Sequence, residues 1–99
     1  MGEELHPGKR FDPARGRKNT PALTEAALTV WLLRWLAGGW TQEKLAAESG
    51  VAESTIGRYE RGLQAPSPRT LERLCEGAKV PYAVVEGVLR PALREVLAA

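Results

Sequence analysis

Glu53, Ser54, Gly57, Arg58 and Arg61 fall on or near one side of a short stretch whose other side carries Ile56 and Tyr59, spaced i, i+3. Two guanidinium groups, a hydroxyl and a carboxylate on one outward helix face can hydrogen-bond and ion-pair with a second surface. That is recognition chemistry rather than bond-breaking chemistry. The chain has no nucleophile–His–acid set, no phosphate-cradling glycine loop and no cluster of metal ligands, so the sequence predicts neither an enzyme nor a bound cofactor or metal. Acids four or five apart, such as Glu43 and Glu48, read as solvated helix faces, and the one histidine, His6, as a solvated side chain.

The elements that must hold this face are legible around it. Thr41 caps a helix that ends at Ser49, Gly50 supplies a tight turn, and a second helix runs from about Glu53 to Arg61, ending at Gly62. Leu45 and Ala46 point inward, Ala46 being small enough to let the two helices cross closely, and Val51 plugs the core between them. Two short helices joined at a glycine make a helix-turn-helix, a unit that lays one helix against another structure, most often the major groove of DNA.

Before this pair, Thr20 and Pro21 start a helix that reaches about Ala37 and stops at Gly38-Gly39. It is apolar on more than one face, with Trp31 and Trp35 four apart, so part of its surface needs a second cover. Trp40 reads as an apolar staple packed into the core. After the pair, Ser67 and Pro68 open a fourth helix to about Ala78, with Leu71, Leu74, Cys75 and Ala78 on one stripe. This makes Cys75 a core residue rather than a reactive thiol. A fifth helix begins near Pro81 or Tyr82 with Val84, Val85, Val88 and Leu89 as its apolar side. Pro91 interrupts or kinks it, and Leu93, Val96 and Leu97 share a face beyond. No strand alternation and no repeat is visible. The expected architecture is all-α: a compact bundle of about five helices containing a helix-turn-helix, with a flexible N-terminal arm. It divides into an arm over 1–20, a helix-turn-helix domain over 21–80 and a C-terminal helical extension over 81–99.

A length of 99 residues suits one domain. One cysteine allows no internal disulfide and fits a reducing compartment. With no secretory signal pattern and no apolar run long enough to span a bilayer, the expectation is a cytoplasmic protein that does not use a membrane. The formal net charge is +2, and it resides in residues 1–20; residues 21–99 carry nine basic and nine acidic side chains. The leader reads either as a solvated tail or as a basic arm in which Lys9, Arg10, Arg15, Arg17 and Lys18 touch phosphates or a minor groove.

Taken together, Thr41-Gln42-Glu43-x-Leu45-Ala46, Gly50-Val51, Ser54-Thr55-Ile56, Tyr59-Glu60-Arg61-Gly62 and then Pro66 and Ser67 resemble the phage-repressor and Cro-like helix-turn-helix family. The likeness covers roughly residues 22–90 and is densest over 40–71. It implies that double-stranded DNA is the partner. It also implies that Gln42 contacts a phosphate and braces the recognition helix, that Glu53, Ser54, Thr55 and Arg58 approach bases or backbone, and that Lys44 and Arg61 contact backbone. Arg58 can then grip guanine in bidentate fashion, a contact worth about 1–3 kcal/mol of discrimination. Arg34 resembles the family's common arginine after leucine.

Several residues depart from the pattern. Ala52 stands where the family has a Ser or Thr cap, Gly57 interrupts the recognition helix, and Lys44 replaces the acid that would complete a capping box with Thr41. Glu53 serves either cytosine N4 or the helix dipole. Residues 40–63 sum to −1, so the motif alone is a weak phosphate binder and needs the leader, a second copy, or both. A homodimer joined through Trp31, Trp35, Val88, Leu93 and Leu97 would supply the second copy. The competing expectation is a protein-interaction module, an antitoxin or adaptor, that uses the helix-turn-helix as a scaffold and the tryptophan surface to dock a protein partner.

Overall fold

The computed structural model describes residues 20–99, and every regular element among them is helical. α1 spans Pro21–Leu36, α2 Gln42–Ser49, α3 Glu53–Glu60 and α4 Pro68–Ala78. A C-terminal helical run follows in three consecutive pieces: α5 (Tyr82–Val84), a π-helical turn (Val85–Leu89) and α6 (Arg90–Ala98). No described helix is long and apolar enough to cross a membrane.

The helix starts follow from their caps. The hydroxyls of Thr20, Thr41 and Ser67 accept the backbone N–H groups of Leu23, Lys44 and Thr70, each three residues on. α3 has no such bond, because Ala52 offers no acceptor; a missing cap costs about 1 kcal/mol. Gly50 ends α2 in the left-handed region at φ 78° and turns the chain into α3.

One core joins these helices. Val30 and Leu33 of α1, Leu45 of α2, Ile56 and Tyr59 of α3, Leu71, Leu74, Cys75 and Ala78 of α4, and Val85 beyond α5 form a single buried cluster, with Val51 in the turn. Trp40 packs against it half-buried. The Cys75 thiol is pushed up to about 11 by burial, with Glu86, Glu72 and Glu76 adding to the shift, and it acts as a small apolar side chain.

Of the interruption or kink expected at Pro91, the run shows no interruption: the helix continues through it. It widens one turn earlier, where the Arg90 N–H reaches back five residues to the Val85 carbonyl. A proline clashes with the carbonyl four residues before it, and a π turn just upstream relieves that clash. Of the four residues expected to form one apolar side, Val85 is buried and Leu89 packs against the core, whereas Val84 and Val88 face solvent.

α6 lies against α1, held by a charged clasp. The Glu25 carboxylate, only 5% exposed, accepts hydrogen bonds from Nε of both Arg90 and Arg94, and Arg90 also reaches Glu86. Burial pushes the Glu25 carboxyl up, but the hydrogen bonds and charges of the two arginines outweigh it and hold the group below its ordinary value.

Candidate functional site

α3 is an amphipathic rod with one side committed to the core. Ile56 and Tyr59 are buried, while Glu53, Ser54 and Arg58 are exposed, as is Arg61 just past the helix end. Those four residues, with Gly57 and with Gln42 from the start of α2, line one shallow open concavity. Five of the seven residues expected at the site therefore converge. The other two do not line it. Thr55 is half-buried, and Lys44 lies with its Nζ 5.4 Å from the Trp40 ring centre and 3.2 Å from a Glu48 oxygen.

The position of α3 is set by a buried polar node behind it. Arg34 of α1 is fully buried; its Nε donates to Glu60 Oε2 at 2.8 Å, its Nη2 to Glu60 Oε1 at 2.6 Å and its Nη1 to the Trp40 carbonyl at 2.9 Å. The Gln42 amide donates to the same Glu60 Oε1 at 3.1 Å. The Glu60 carboxylate at the end of α3 thus joins α1 and α2, and Arg34 extends the node to the loop before α2. This bidentate, charge-assisted arrangement is the strong kind of hydrogen bond. The Gln42 bond to Glu60 links the start of α2 to the end of α3. Arg34 and Glu60 lie 26 residues apart, so only the fold reveals them as partners.

The node also revises the charge count. Glu60 contributes one of the four negative charges in residues 40–63, yet its carboxylate is matched by Arg34 from outside that window. The outward surface is therefore less acidic than the window suggests.

Gly57 finds a reason in the same place. A Cβ there would stand 3.3 Å from Arg61 Nη1 and 3.5 Å from Gln42 Oε1, so its lack of a side chain leaves room for those two groups to close over the helix. Two further side chains at this end were not anticipated. Gln64 accepts two hydrogen bonds from Arg58, and Arg73 of α4 donates to the Gly50 carbonyl at 3.1 Å, fastening the turn between α2 and α3.

Lys9, Arg10, Arg15, Arg17 and Lys18 lie outside the described residues. Among the residues expected at a dimer contact, Trp31 and Trp35 meet edge to face at 5.8 Å, and Trp31 and Leu93 are half-buried. Trp35, Val88 and Leu97 are exposed, as are Leu36 and Val96 near them in sequence.

Comparison with protein families matches residues 33–85 to the helix-turn-helix family, more than half of the chain and all of α2, α3 and α4. Neither the curated proteins nor the solved structures gave a significant match. A glycine-turned helix pair, a second helix with a buried back and a polar front, and a family match spanning the whole unit place this chain in the phage-repressor/Cro-like helix-turn-helix family of DNA-binding regulators.

Proposed function

We propose that this protein is a sequence-specific transcriptional regulator that binds double-stranded DNA as a homodimer and reads the major groove with α3. The observation that carries the proposal is the convergence of Gln42, Glu53, Ser54, Arg58 and Arg61 on one concave surface whose supporting helix is pinned from behind by Glu60. In this reading Arg58 contacts a base edge, Ser54 and Thr55 approach bases or backbone, and Gln42, Lys44 and Arg61 serve the phosphates. Glu53 sits in the first turn of α3, where its charge suits the helix dipole. The exposed Trp35, Val88 and Leu97 favour a second copy, which would place two recognition helices about one DNA turn apart, roughly 34 Å.

Selection from random duplex DNA tests this directly. The expected result is a two-fold-symmetric site. Arg58→Ala should relax one position in each half, and removal of residues 1–18 should weaken all sequences alike and flatten the salt dependence. Enrichment of no sequence over competitor at low salt would overturn the proposal. A clean monomer in sedimentation at high concentration would remove the dimer. The exposed apolar side chains also suit a protein-interaction module; retention of a stoichiometric protein partner together with no DNA would favour that second reading.

A further inference from the structure

The Arg58 side chain is not left to wave in solvent. Its Nε and Nη2 both donate to Gln64 Oε1, at 3.1 and 2.9 Å. These two donors form the side edge of the guanidinium plane, and one amide oxygen engages both. The adjoining end edge, carrying Nη1 and the outer hydrogen of Nη2, is not engaged by Gln64. That outer pair has the two-pronged geometry that matches O6 and N7 of guanine.

Gln64 is itself set in place by backbone. After α3 the Gly62 N–H bonds to the Tyr59 carbonyl and the Leu63 N–H to the Arg58 carbonyl, each at 3.0 Å, with Gly62 in the left-handed region at φ 74°. This pair of bonds folds the chain back over the last turn of α3. The loop therefore returns to Arg58 in a fixed geometry, and Gln64, half-buried, is delivered beside the guanidinium.

We infer that Gln64 is a positioning residue for recognition: it holds Arg58 by its side edge so that the end edge is presented to guanine in advance. The inference rests on the DNA-reading proposed above and adds to it a residue that itself touches no base. A long arginine side chain that must be ordered on binding sacrifices rotamer freedom; one already held does not, and the gain appears only where its target is present.

The test is duplex selection with the full-length chain carrying Arg58→Ala, Gln64→Ala or Gln64→Glu, each compared with wild type. Arg58→Ala identifies the position that Arg58 reads. Gln64→Ala is expected to lower guanine preference at that same position by about threefold to tenfold, the equivalent of one ordinary hydrogen bond, and to leave other positions unchanged. Gln64→Glu keeps an oxygen acceptor, so it should keep the preference while weakening binding to every sequence through its added negative charge. A merely structural role for Gln64 would depress all positions together. If Gln64→Ala leaves the Arg58 position intact, or sharpens it, the inference fails while the DNA-reading stands. If wild type selects no sequence, both fall.

Discussion

The buried node offers the most severe test of the architecture. Consider Arg34→Met, which keeps an apolar stem of similar length but removes the guanidinium. Glu60, whose side chain is 8% exposed, would keep the Gln42 amide and lose both charged donors. Breaking a buried pair from one side costs about 3–5 kcal/mol, because the surviving charge is left uncompensated. Eighty described residues at the usual 0.05–0.15 kcal/mol each imply a total stability of about 4–12 kcal/mol, so this one substitution removes a large share of it. In a domain of this size a loss of about 3 kcal/mol lowers the melting midpoint by roughly 12 °C or more. Urea unfolding followed by circular dichroism gives the free energy directly. The double variant Arg34→Met/Glu60→Leu removes both charges, and it should recover at least half of the loss. A cost under about 1 kcal/mol for Arg34→Met would refute the burial of the node. A double variant no better than the single would refute the claim that uncompensated charge is the cause.

Two other perturbations address packing and pH. At Gly77 a Cβ would lie 2.7–2.8 Å from Ser49 backbone and side-chain atoms, whereas at Gly87 it would meet nothing within 4 Å. Gly77→Ala should therefore destabilise, since overpacking of about 1–3 kcal/mol outweighs the helix-propensity gain of roughly 1 kcal/mol, and Gly87→Ala should be neutral to stabilising. The opposite order of melting midpoints would refute the close crossing of α2 and α4. For the Glu25 clasp, the carboxyl is more acidic folded than unfolded, so its contribution is complete above its ordinary value of 4.5 and is lost as pH falls through the lowered folded value. Glu25→Gln should be less stable than wild type at pH 7, and the two melting curves should approach one another below pH 4.5; a gap that stays constant with pH would contradict the clasp.

What the sequence made legible was local. The caps at Thr20, Thr41 and Ser67, the turn at Gly50 and the inward stripe of α4 each depend on neighbours within a few residues, and the chain states those neighbours outright. The outward face of α3 followed from the spacing of Ile56 and Tyr59. What it concealed was distant or conformational. Glu25 finds its arginines 65 and 69 residues away, and Arg34 finds Glu60 across 26, so an acid and a base inside an otherwise apolar helix gave no sign of what would neutralise them. Gln64 lies in the connection between α3 and α4. Its partnership with Arg58 depends on the chain doubling back at Gly62, which no periodicity reports.

The widened turn before Pro91 has a consequence for everything downstream of it. An α-helix advances about 100° per residue. A single π turn inserts one residue without an equivalent advance, so each later side chain occupies the azimuth its predecessor would otherwise hold. Continued regularly from buried Val85, the inward row would pass through Ala92 and Val96. Instead Leu93 is half-buried and Ala92 exposed, and Leu97 is 36% exposed against 69% for Val96. The same phase slip brings Arg90 and Arg94 into line over Glu25. The turn works as a one-tooth offset in a gear: regularising 85–89 with every residue kept would turn the wrong teeth, Ala92 and Val96, toward α1, whereas deleting one residue there would restore an ordinary helix and leave Leu93 and Leu97 in place.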